Sequence, residues 1–199
     1  MGTKWRVGEV EFDERMPAMD VAAMDEQQRK AAEEMTNGPR GGVKGPFVAL
    51  LRSPELMDRL QRVGEYLRFQ SSLNARISEF AMLIVSREWT QQFEWRTHVP
   101  LARKAGLSQS VIDCLADARR PIGLAADEQA AYDLLDELLR TKGVSQVTYQ
   151  AAVNVFGERG VIDLLGVAGY FTAISMLMNA THGPPSAQDD VPLLTPFPL

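Results

Sequence analysis

Gln91, Glu94 and His98 stand three and then four residues apart in the stretch QQFEWRTH, and His98 is one of only 2 histidines in the chain. On a helix those intervals put all three side chains on one face. A carboxylate one turn before an imidazole favours the imidazolium, fixes the ring and moves its charge change upward towards neutral pH. That is the condition a general acid or base requires. On spacing alone the plainer reading is a solvent-exposed ion pair contributing roughly a few tenths of a kcal/mol. Two features point to shelter instead. Trp89, Phe93 and Trp95 surround the polar face, and Glu79 is a second carboxyl inside the apolar run ISEFAMLIV, where a buried charge needs a partner or a purpose. A hairpin around residues 88–91 brings Glu79 towards the start of the following helix.

The elements that carry these residues read as helices throughout. The periodicity predicts helices at about 21–35, from Ser53 onward, and over 75–88, 91–105, 108–118 and 127–140, then one that starts at Ser145 and closes near Gly157, and a separate apolar one over about 160–180. Ser53, Pro54 and Glu55 form a strong helix start, and Leu56, Leu60, Val63 and Leu67 are expected as its buried stripe. Ile77, Phe80, Ala81, Ile84 and Val85 are expected inward on the next. Pro100 is expected to bend or interrupt the helix just after His98. Arg40 and Lys44 lie in TNGPRGGVKGP, which reads as a connector rather than an anion loop, because its glycines lack phosphate-loop spacing and no strand precedes them. His182 ends the last helix, where a cation complements the negative terminus. The proline-rich tail is expected to be extended, with Leu193, Leu194 and Phe197 available to lie across the body. No strand pattern appears, so the fold is expected to be all-α, a single domain over residues 1–199.

Composition narrows the function. With 21 Lys+Arg against 26 Asp+Glu, the net charge of -5 offers no broad cationic field, which argues against nucleic-acid partners. One cysteine, Cys114, allows neither an internal disulfide nor a thiol pair, and no Cys/His spacing resembles a metal site, which fits a reducing cytoplasm. The uncharged run from Leu164 to Met178 is too short to span a bilayer and reads as a buried helix, not a membrane segment.

The run ARISEFAMLIVSREWTQQFEWRTHVPLARKAGLS, with Glu79, FEW, His98 and AGL, resembles the carboxymuconolactone decarboxylase family, which includes the AhpD-type alkylhydroperoxidases. The resemblance, which extends more weakly over about residues 40–182, implies an AhpD-like helical bundle of about seven helices with its core there, one that assembles as a homo-oligomer, trimeric or hexameric, and binds a small-molecule substrate. It also implies chemistry without a metal or organic cofactor. The hydroperoxidase branch has a glutamate matching Glu79, a Cys-x-x-Cys pair whose places are taken by Gln91 and Glu94, and a histidine matching His98. Without thiols, peroxide cleavage by that route is excluded. Decarboxylation of a small carboxylated, lactone-type metabolite is the reading that follows. His98 serves as proton donor and acceptor, Glu94 and Glu79 set its charge and position, and Gln91, Phe93, Trp95 and Arg96 contact the substrate. Arg76, Arg87 and Arg96 are the cations near enough to clamp an anion. The chain departs from the decarboxylase pattern after Ala118, where RRPIGLAADEQ replaces a continuing helix. A silent oligomeric ligand-binding protein and a thiol-independent peroxidase or isomerase are the alternatives. His98→Ala is expected to abolish turnover and leave assembly intact.

Overall fold

Asn74, Ser108 and Ser145 each turn a side-chain oxygen onto an amide three residues ahead, at 3.0, 3.3 and 3.4 Å, and each starts a helix. In the computed structural model, which describes residues 2–38 and 40–196, these caps open α4 (Ala75–Glu88), α6 (Gln109–Ala116) and α8 (Gln146–Thr181). Before them come α1 (Glu26–Asn37), α2 (Pro46–Leu50) and α3 (Pro54–Phe69), with α5 (Gln92–Lys104) and α7 (Ala126–Thr141) between. The fold is all-α, with eight α-helices among the described residues. α8 covers the last two expected helices, joined across a non-helical Gly157. α2 is the added one: Pro46 opens a single turn too short to carry a periodic signal.

α4 is the axis. Ile77, Phe80, Ala81 and Val85 have no exposed surface and Ile84 is buried, because α5, α7 and α8 pack around this helix. Such near-complete burial leaves a charge on α4 only the option of pairing. By composition one stretch of α8 is long and apolar enough to cross a membrane, yet 56% of it is buried within the chain, as expected of a core helix.

Several details differ from expectation. Ser53 makes no side-chain cap; Pro54 and Glu55 alone mark that start. Leu56 and Val63 are exposed, while Met57, Gly64 and Leu67 face inward. The helix is turned because Gly64 lets it approach α8 most closely on that side: a Cβ there would lie 2.4 Å from the Tyr170 hydroxyl oxygen. α5 runs through Pro100 without interruption, held by α4 along its length. A small antiparallel hairpin, β1 (Lys4–Val7) and β2 (Val10–Asp13), went unforeseen because four-residue strands are too short to show alternation. Its Trp5 and Phe12 stack at 4.3 Å.

The hairpin region closes the end of α8. Arg15 donates to the carbonyls of Ala180 and Thr181, and the Trp5 indole to that of His182. The cationic role expected of His182 therefore falls to Arg15. His182 itself takes the left-handed position that ends the helix. The tail folds back across α4 and α5, burying Val191 and Leu194. Gln92 grips it by donating to the Leu194 carbonyl and accepting from the Leu194 amide, both at 2.8 Å. Leu193 is only partly buried, and Phe197 lies outside the described residues.

Candidate active site

The α4–α5 turn sets the site. Thr90 takes a left-handed conformation (φ 46°), and the Gln91 amide donates back to the Ser86 carbonyl, so α5 returns antiparallel along α4. Residues equally far from that turn then meet. Glu79, ten residues before Trp89, faces His98, nine after it, rather than the start of α5.

His98 is gripped from both sides. Its Nδ1 lies 2.7 Å from a Glu79 carboxylate oxygen and its Nε2 3.3 Å from one of Glu94. The ring is 2% exposed, and Phe171 covers it edge to face with centroids 5.1 Å apart. Burial by itself would lower the imidazole pKa, but hydrogen bonds to Glu79 and Glu94, with their charge, raise it to about 9. The site thus holds an imidazolium at neutral pH, beyond the balance point that the spacing of Glu94 and His98 predicts, because both carboxylates bond to the ring directly. Both ring nitrogens face carboxylates, which leaves neither lone pair free for a metal ion. Among the described residues no group of three or more His, Cys, Asp or Glu side chains is arranged to hold one.

Glu94 and His98 open onto a cavity of about 350 Å³, while Glu79 stands behind the ring. Of the expected substrate contacts, only Phe93 lines this cavity. Gln91 is the α5 N-cap: its Oε1 accepts from the Phe93 and Glu94 amides at 2.6 and 3.2 Å, and its Nε2 donates to Asn179 at 2.9 Å. Those bonds occupy its amide and orient Glu94. Trp95 is in the core, and Arg96 pairs with Asp189 at 3.0 Å. Arg76 is committed to Asp127 and Glu128, and Arg87 donates to the Thr195 carbonyl, so neither of these lines the cavity either.

Other residues line it instead. Arg40 and Lys44 come from the loop that reads as a connector, Arg68 from α3, and Tyr170 and Phe171 from α8. The loop is pinned there because Gly45 (φ 57°) rests on the Phe93 ring, where a Cβ would come within 2.3 Å. Nothing in the sequence spacing links residues 40, 68, 98 and 170; only the packing of α3 and α8 brings them together.

The sequence model of the carboxymuconolactone decarboxylase family matches residues 54–137, which span α3 to α7 and include Glu79, Glu94 and His98. That match carries the family likeness over α3 to α7, and the bundle as a whole has the AhpD-like fold. Its fold is similar to that of a peroxidase-related protein from Silicibacter, at 17% identity with a TM-score of 0.69, covering 87% of this chain and 91% of that one. It is also similar to an AhpD-core, peroxidase-related protein from Ralstonia eutropha, at 16% identity with a TM-score of 0.67, covering 87% and 93%. No curated protein matches significantly. This chain has no Cys-x-x-Cys pair. Its one thiol, Cys114, is buried on α6 and does not line the cavity.

Proposed function

We propose that the chain is a lyase that protonates a carbanion as a small carboxylated, lactone-type substrate loses carbon dioxide. The observation that carries this reading is a buried imidazolium, held between two carboxylates, at the wall of a cavity large enough for a small metabolite. The substrate's bond to its carboxylate carbon breaks, and the electron pair passes into a conjugated carbonyl. His98 then releases a proton on its Nε2 side, where the looser contact to Glu94 faces the cavity. Water restores that proton. Glu79, which touches His98 but not the cavity, is a positioning residue: it fixes the ring and sustains its charge. The chemistry needs no cofactor. The structures similar in fold are peroxidase-related proteins, but thiol-based peroxide cleavage needs a thiolate nucleophile, and no cysteine lines this cavity. A homo-oligomer in a reducing cytoplasm, without nucleic-acid partners, completes the reading.

The test is a panel of lactone and oxo-acid carboxylates, followed by mass analysis of released carbon dioxide. A substrate should emerge whose turnover falls by about three orders of magnitude in His98→Gln, the scale of general acid catalysis. Equal turnover in that variant removes His98 from the reaction. A panel with no decarboxylated member overturns the lyase reading.

A further inference from the structure

An anionic substrate meets a difficulty at this site. Two carboxylates and one imidazolium leave a net negative charge beside the cavity, and burial strengthens its repulsion. We propose that Arg40, Lys44 and Arg68 form a clamp for a carboxylate that the ligand retains, so that α3 and the α1–α2 loop bind the anion while α5 supplies the proton. The proposal rests on the lyase reading for the cavity's use as a substrate site, but its test needs no turnover.

Four observations carry it. All three cations line the same cavity as Glu94 and His98. None has an ion pair with a carboxylate among the described residues, whereas Arg76 and Arg96 are already paired. Two polar atoms on cavity-lining residues, Arg68 Nε and Thr97 Oγ1, are buried with no hydrogen-bond partner among the described residues, which is costly unless a ligand supplies one. Lastly, the guanidinium of Arg40 sits over the Phe47 ring at 4.4 Å and that of Arg68 over Phe69 at 5.1 Å, so both forks are held in advance of binding. Arg40 also donates to the Gln61 carbonyl at 3.5 Å and feels the charge of Glu65 as well as that of Glu94, which tempers but does not cancel its role. Phe93, Phe171 and Ile174 give the remaining wall an apolar character suited to a small ring or unsaturated chain.

Arg40, Lys44 and Tyr170 lie outside the segment that matches the family, whereas Glu79, Glu94 and His98 lie inside it. The Tyr170 hydroxyl senses both Arg40 and Glu94, and it stands against Gly64.

Isothermal titration with benzoate, its neutral isostere benzamide and inorganic phosphate tests the clamp. Wild type should bind benzoate roughly 10-fold or more tighter than benzamide, the scale of one charge-assisted hydrogen bond. Arg68→Gln should reduce that preference and Arg40→Gln/Arg68→Gln abolish it, with Arg68→Lys restoring part. Arg62→Gln, which removes an exposed α3 cation that does not line the cavity, should keep it; preference without any decarboxylated substrate leaves the clamp standing and removes the lyase. Arg68→Gln alone suffices if the double variant does not fold, since Arg68 stacks on an exposed ring. The clamp is overturned by equal affinity for benzoate and benzamide in wild type, by a preference undiminished in Arg68→Gln, or by phosphate binding tighter than benzoate.

Discussion

His98 joins two opposing effects: burial works against its charge, and the paired carboxylates outweigh burial. A group whose folded-state pKa is raised stabilises the fold fully below its unfolded value, near 6.5, and that contribution disappears as pH rises through about 9. The thermal midpoint should therefore fall across that window. Once a substrate is found, kcat/KM should fall above about pH 9, where the imidazolium is lost. In Glu94→Gln, with one supporting carboxylate gone, the fall should begin at lower pH. An unmoved alkaline limb would assign the ionisation to another group. Alanine at position 98 is a harsher change than sequence implies, because it strands Glu79 and Glu94 in the interior at a cost of about 3–5 kcal/mol; glutamine keeps a donor and is the cleaner probe. The meeting of these three groups was legible from spacing and from a carboxyl on an apolar helix. The fate of Gln91 was not, since the same position that shares a face with Glu94 is also the one that caps α5.

At the scale of elements, helix positions could be read from caps and period, but facing could not always be. α4 shows one apolar side strong enough to identify, and its expected inward residues are all buried. α3 offers two competing stripes, and the contest is decided by an absent side chain, Gly64, which no apolar count registers. Gly64→Ala should force α3 from α8 or turn Tyr170 out of the cavity, an overpacking cost of about 1–3 kcal/mol. A differential-scanning melt should drop by several degrees, and benzoate affinity should weaken with it. A variant that matches wild type in both would show that the α3–α8 seam yields freely. Arg40, Lys44 and Arg68 escaped sequence reasoning for a related reason: a clamp assembled from a loop and a distant helix leaves no periodic trace.

Across the whole molecule, most of the exposed large apolar side chains among the described residues belong to two helices that pack together: Leu56, Val63 and Phe69 on α3, and Val147, Tyr149, Val155, Ile162 and Met176 on α8. Such surface is expected to be covered by further copies of the chain. Light scattering coupled to size exclusion should give a mass three or six times 22.1 kDa, and a clean 22.1 kDa species would contradict the expected assembly. The tail closes the molecule by a different device, in which one glutamine carboxamide imitates a peptide unit and pairs with Leu194 in both directions. Deamidation of Gln92 would exchange its donor for a second acceptor facing the Leu194 carbonyl. In aged material the final segment would then rest on the Arg87–Thr195 bond and the buried Val191 and Leu194, and should be clipped by proteases sooner than in fresh material.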